Sequence, residues 1–282
     1  MLAVICGGGK YPLEIAKCCL QNKTNFALAF IDGSYDKNLD WPDVPSKVFS
    51  LGQIGGVLSY LKEKNVDKLI FAGFVERPNL FDLSLDSVGT KWLMKLGIGA
   101  FSGDDGLLKN IASLFAEEGF EVIDPSEFIK SLTVTSNILT EKRPSENDLK
   151  DVAKGVDILS DLSKHDVGQA VIIENGLAIG IECVEGTDRL ISRVKDIKKC
   201  RKGGVLLKVS KNNQDLRFDM PTIGLQTVVE CYNSGLNGIA VEQENCLFLN
   251  QEEAINFAND HDMFIISVKK EKNILQCTNE YL

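Results

Sequence analysis

The stretch Leu2-Ala3-Val4-Ile5-Cys6-Gly7-Gly8-Gly9-Lys10-Tyr11-Pro12 decides the fold. Five apolar residues run into three glycines, and from Pro12 to about Gln21 the spacing of Leu13, Ile15, Ala16 and Leu20 predicts one buried face of a helix. The stretch therefore reads as a strand, a tight turn and a helix. The same alternation continues outward. Phe26–Ile31 and Val48–Leu51 read as strands, Ile54–Lys64 as a helix, and Lys68–Ala72 as a buried strand closed by Gly73. Val88–Leu96 and Gly106–Glu118 read as further helices and Glu121–Ile123 as a last strand. Strands and helices alternating through short turns predict a Rossmann-like domain, with a parallel sheet covered by helices.

The character of the chain changes after residue 131. Residues 132–146 (LTVTSNILTEKRPSE) are polar, contain Arg143-Pro144 and lack a clear period, which predicts a linker. Leu149, Val152, Val156, Leu159 and Leu162 then recur at helical spacing behind Ser145, a candidate N-cap. Beyond them Asn175-Gly176 separates two apolar runs, Ala170–Glu174 and Leu177–Cys183. Both turn residues tolerate positive φ, so a hairpin is predicted there. Thr187–Ile197, Thr222–Tyr232 and Glu252–Asp260 read as helices, and Gly204–Val209 and Phe264–Val268 as strands. Gly238–Val241 and Cys246–Leu249 read as a second strand pair. The expectation is an α/β protein of two domains: residues 1–131 Rossmann-like, and 147–282 mixed α/β with antiparallel hairpins. A length of 282 residues agrees with two domains at about 150 residues each.

Charge narrows the function. Against 40 Asp and Glu there are 31 Lys and Arg, a net charge of −9 that repels nucleic acid phosphates. The nearest approach to a basic cluster, Lys198, Lys199, Arg201 and Lys202, is broken by Cys200. No nucleic acid partner is expected. Met1–Cys6 lacks the basic start of a signal peptide, and no apolar run approaches the roughly 20 residues of a membrane helix. The eight cysteines form no C-x-x-C pair and there are two histidines, so a structural zinc site has no framework. A reduced, cytoplasmic protein is expected.

Several turns could carry chemistry. Gly7-Gly8-Gly9 lies where backbone N–H groups can approach a phosphate, but Pro12 stands where the third glycine of G-x-G-x-x-G belongs. A tight strand-to-helix turn explains these glycines equally well. Arg77 follows the strand Lys68–Ala72 and could pair with a phosphate, or simply lie on the surface. Asp104 and Asp105 open a helix, where aspartate caps free N–H groups; two adjacent carboxylates can also hold a hard cation such as Mg2+. Glu185-Gly-Thr187-Asp188 and Asp219-Met-Pro-Thr222-Ile-Gly224 are comparable acidic helix entries. Neither His165 nor His261 has a candidate nucleophile nearby.

These motifs, taken in order, resemble a known family. Gly7-Gly8-Gly9, Ala72-Gly73 through Arg77-Pro78, Gly103-Asp104-Asp105-Gly106-Leu107-Leu108, Gly168-Gln169, Glu185-Gly186-Thr187-Asp188, Asp219-Met220-Pro221-Thr222-Ile223-Gly224 and Gly235-Leu236-Asn237-Gly238-Ile239 are similar to the UDP-2,3-diacylglucosamine pyrophosphatases of the LpxI type. Those are lipid A pathway enzymes of Gram-negative bacteria. Asn79 and the Lys208–Arg217 connection depart from the family's pattern. The resemblance implies a two-domain, Mg2+-dependent hydrolase that binds its glycolipid nucleotide between the domains. Water would attack the sugar-side phosphorus, releasing UMP and 2,3-diacylglucosamine 1-phosphate (lipid X).

The resemblance also implies roles. Asp219 would carry catalysis; the physical reading of the acidic helix entries adds Asp104, Asp105, Glu185 and Asp188 as the metal and water shell. Gly7, Gly8, Gly9, Arg77, Gln169, Thr187 and Thr222 would meet the substrate. A homodimer and a transient peripheral contact with the inner face of the inner membrane are implied as well. Two other readings stay open at this point: a nicotinamide-dependent oxidoreductase, and a UDP-sugar-binding protein whose carboxylates only cap helices.

Overall fold

A computed structural model of the chain describes residues 1–75, 83–97, 104–129, 132–198, 202–212, 220–270 and 281, with the backbone alone at 104–106 and 126–127. The described residues divide into two units, one running from Met1 and the other from Leu132.

In the first unit β1 (Leu2–Cys6), β2 (Phe26–Ile31), β3 (Ser46–Phe49), β4 (Lys68–Ala72) and β5 (Glu121–Val122) form one sheet in the order β3-β2-β1-β4-β5. Every pairing in it is parallel. The central strands β1 and β2 are buried along their whole length. That is why they read as continuous apolar runs without alternation. Ala3, Ile5, Ala27, Ala29 and Leu69 pack against Leu58 and Leu61 of α2 (Ile54–Glu63), Trp92 of α3 (Ser87–Leu96) and Phe115 of α4 (Asp104–Glu117). On β1, α1 (Tyr11–Gln21) buries Ile15, Ala16 and Cys19. A short helix, α5 (Ser126–Ile129), packs on α1. The start of α3 is fixed by Asp86, whose carboxylate accepts the N–H groups of Val88 and Gly89.

The second unit has a mixed sheet in the order β12-β10-β8-β6-β7, built from β6 (Ala170–Glu174), β7 (Leu177–Ile181), β8 (Val205–Lys208), β10 (Gly238–Glu242) and β12 (Phe264–Val268). Strands β8, β10 and β12 are parallel, while β6 runs antiparallel to both β8 and β7. The β6–β7 hairpin turns at Asn175 (φ 51°) and Gly176 (φ 75°). Buried Asp151 accepts both of their N–H groups, at 2.9 and 2.6 Å. Asp151 lies on α6 (Glu146–Leu162), which begins in a capping box between Ser145 and Asp148. Along each strand the side chains alternate between two cores. Leu149, Val152, Val156 and Leu159 of α6 cover Val171, Leu207 and Ile266 on one face. On the other, α7 (Thr187–Ile197), α8 (Leu225–Asn233) and α9 (Gln251–Asp260) cover Ile172, Leu206, Ile239 and Ile265.

Two sequence expectations need correction. Thr222–Gly224 is not helical: it forms β9, paired in parallel with β11 (Leu247–Leu249), and α8 begins only at Leu225. Two β-branched residues and an extended Gly224 (φ −161°) favour the strand, so the helical period starts one turn late. Nor do β10 and β11 pair with each other. β10 lies between β8 and β12, and β11 belongs to the separate two-stranded sheet. Among the described residues, β6–β7 is the hairpin that remains. The 132–146 stretch lies along the second unit, with Val134 in its core and bridges from Thr133 to Leu247 and from Ile138 to Ile266.

Candidate active site

In the first unit the glycine turn leaves the carboxyl end of β1 beside the end of β4. Gly7 N–H donates to the Ala72 carbonyl at 2.8 Å and Gly8 N–H to the Phe74 carbonyl at 2.7 Å, while Phe74 N–H returns to Gly8. The two turns are thus sewn together by backbone. A Cβ on Gly7 would stand 2.5 Å from the Phe74 oxygen, and one on Gly73 2.3 Å from the Gly8 oxygen. Close backbone approach accounts for both glycines, and the Gly7 and Gly8 donors are already engaged. Phe74, 64% exposed, rests its ring against Gly8 and Gly9. Arg77 lies outside the described residues. Asp104 and Asp105 stand in the first turn of α4, and their side chains are likewise outside the description.

The second unit gathers polar groups at one edge of its mixed sheet. The carboxyl ends of β7, β8 and β10 meet the start of β6 there, as the pairing of Ala170 with Lys208 requires. Glu182 follows β7 and is buried, 8% exposed. Its Oε2 accepts the Gln169 N–H at 2.7 Å, and its Oε1 accepts the Thr187 hydroxyl at 2.6 Å. Lys208, at the end of β8, donates from Nζ to Thr187 Oγ1 at 2.8 Å and to the Thr222 carbonyl at 2.9 Å. Three residues expected at the site, Gln169, Thr187 and Thr222, are therefore held in one hydrogen-bonded group by Glu182 and Lys208. Gly168 (φ +51°) permits this: a Cβ there would lie 2.0 Å from the Glu182 carbonyl oxygen.

The same contacts restrict what each group can offer. A threonine hydroxyl has one hydrogen. Thr187 spends its own on Glu182 and Thr222 spends its own on the Met220 carbonyl at 3.0 Å. Farther along this edge Glu242 is buried and accepts the Ser210 N–H and hydroxyl at 2.7 and 2.6 Å. Lys270 Nζ closes on the Ser210 carbonyl at 2.6 Å.

Of the acidic residues expected around a metal, Glu185 and Asp188 are the two whose side chains are described. Glu185 Oε1 accepts Arg193 Nε at 3.1 Å and Nη2 at 2.7 Å, and its Oε2 accepts the Cys183 N–H at 3.2 Å. Hydrogen bonding from Arg193 holds its carboxyl below the usual range. Asp188 is exposed in the first turn of α7, and Asp219 lies outside the described residues. Among the described residues no three His, Cys, Asp or Glu side chains gather as a metal requires. In kind, however, the expected donors are all carboxylate oxygens, the ligands a hard divalent cation takes.

Glu182 and Lys208 escaped the sequence reading. A signal existed for both: each is a charged residue placed where an apolar run ends, Leu177–Ile181 and Val205–Leu207. Open α/β sheets bind ligands at that strand end.

Comparison with known proteins agrees across the chain. The LpxI N-terminal domain family matches residues 1–132 and the LpxI C-terminal domain family matches residues 135–266. A Caulobacter vibrioides protein named UDP-2,3-diacylglucosamine pyrophosphatase LpxI is 32% identical over 277 residues, covering 96% of this chain and 98% of that protein.

Proposed function

The chain belongs to the LpxI family, and from that premise we propose that it hydrolyses the diphosphate of UDP-2,3-diacylglucosamine in lipid A biosynthesis. That it is a hydrolytic enzyme of this family rests on the end-to-end match. The finer statement concerns the bond cleaved. The oxygen of a water molecule attacks the sugar-side phosphorus. The bond from that phosphorus to the bridging oxygen breaks, and its electron pair leaves with UMP. The sugar-side phosphate, now carrying the water oxygen, departs as 2,3-diacylglucosamine 1-phosphate; one of the water's protons stays on that new phosphate oxygen and the other passes to solvent.

Such a reaction asks for little covalent chemistry from the protein. Positioning, and neutralising charge on phosphoryl oxygens, supply most of the rate. What supports this reading physically is the polar edge of the second unit's sheet, where a half-buried lysine, a buried carboxylate and two threonines meet at the first turn of α7. Asp219 stands three residues before Thr222 in the sequence and is assigned the catalytic role: it binds the cation or orients the attacking water. When bound, Mg2+ polarises the phosphoryl group and neutralises its oxygens. Asp104, Asp105 and Asp188 would hold it, with Glu185 joining after Arg193 lets go. Gly7, Gly8, Gly9 and Arg77 are assigned to the nucleotide, in a domain of Rossmann-like type. The reading further includes a cytoplasmic homodimer that meets the inner membrane surface transiently, where a substrate with two acyl chains resides.

The test is turnover. Asp219→Asn keeps the shape of the side chain and removes its charge. UMP release in the presence of Mg2+ should fall at least about 100-fold with an unchanged fold by circular dichroism. Release at the wild-type rate would remove Asp219 from the mechanism.

A further inference from the structure

We infer that Lys208 is the residue of the second unit that receives a phosphoryl oxygen of the diphosphate, an assignment that rests on the proposed hydrolase reading and adds a substrate-binding residue to it. Lys208 is half-buried at the carboxyl end of β8, and its ammonium carries three N–H donors. One donor meets Thr187 Oγ1 and one the Thr222 carbonyl, both neutral oxygens. Among the described residues no carboxylate lies within ion-pair distance of it. The buried acid of the group, Glu182, is reached only through the Thr187 hydroxyl.

A half-buried lysine held by dipoles alone is stabilised further by any anion that arrives at its open side. Lys270, on the Ser210 carbonyl, resembles it, while four other lysines of the unit differ. Lys142 and Lys202 share Asp262, Lys211 reaches Asp166, and Lys198 is buried beside Glu174. Each of those has its counter-charge within the chain. At Lys208 the counter-charge is left to the ligand, and the third N–H supplies a charge-assisted hydrogen bond to it.

The surroundings fix the direction of that bond. Glu182 is locked by the Gln169 N–H and by Thr187, so Thr187 must present a lone pair, not its hydrogen, to Lys208. The strand that carries the Thr222 carbonyl begins three residues after Asp219. The ammonium is thereby tied to the segment that brings the catalytic aspartate. Its role is to neutralise a phosphoryl oxygen while the anhydride bond breaks.

The experiment compares wild-type protein, Lys208→Met and Lys208→Arg in three measurements: UMP release, UDP binding by calorimetry, and the urea midpoint. Removing one charged donor aimed at a reacting phosphoryl group should lower kcat/KM about 100-fold in Lys208→Met. UDP binding should weaken about 10-fold or more. Lys208→Arg should recover at least about a tenth of the lost activity, since it keeps the charge in altered geometry. Met and Arg variants that bind UDP like wild type, or that lose activity equally and in step with a common fall in urea midpoint, would overturn the inference. Wild-type protein that releases no UMP would instead contradict the hydrolase reading, and UDP binding would still decide the case of Lys208.

Discussion

Thr187 shows how far a single residue could be read in advance. Its place at the first turn of a helix, behind Gly186, was legible from Glu185-Gly186-Thr187-Asp188. That its hydroxyl serves Glu182 was not, because the partner lies across a sheet edge whose pairing no local spacing specifies. Glu185 teaches the same lesson. A carboxylate at a helix entry can face a cation of its own helix, and Arg193 lies two turns on. Charge pairing at the surface has a pH signature. Asp262 lies between Lys202 and Lys142, whose hydrogen bonds hold its carboxyl below the ordinary 3.8. A depressed folded value stabilises the fold above 3.8, and that contribution disappears as the pH falls through the lower, folded value. Urea midpoints of the wild type and Asp262→Asn should therefore differ at neutral pH and converge as the pH is lowered below 3.8. Curves that stay parallel into the acid range would show that the lysines do not depend on this carboxylate.

Elements were the most legible level. Continuous apolar runs announced the buried parallel strands, and Asn175-Gly176 announced the hairpin. Where the reading failed, at Thr222–Gly224 and in the pairing of β10, the deciding contacts are long-range. Ile223 meets Phe248 across β9–β11, and Ile239 lies between Leu206 and Ile265. An isolated apolar run cannot declare which neighbour it will choose. The glycine turn of the first unit belongs to this scale too. Its function in the fold is to let the ends of β1 and β4 touch through Gly8 and Phe74. Gly73→Ala adds a Cβ 2.3 Å from the Gly8 oxygen at a residue with φ +83°. Steric displacement and strain together should cost about 1–3 kcal/mol, read as a lower urea midpoint. An unchanged midpoint would mean that the two turns can part without loss.

The whole molecule is two α/β units in one chain, with helices laid on the faces of each sheet so that the polar groups fall at strand ends. No described helix is long and apolar enough to cross a membrane. Short motifs such as Gly7-Gly8-Gly9 and Glu185-Gly186-Thr187-Asp188 could be read because they sit at a turn and a helix entry, where backbone geometry limits the choice of residue. Glu182 and Lys208 could not, since each is an ordinary charged side chain until the sheet aligns it. Hydrolysis at the sugar-side phosphorus is the claim on which the site assignments depend. Its most direct test is to supply purified protein with UDP-2,3-diacylglucosamine and Mg2+ in 18O-labelled water, and to analyse both products by mass spectrometry. The account predicts UMP without label and 2,3-diacylglucosamine 1-phosphate carrying one 18O. Label in UMP, or no release of either product, would contradict it.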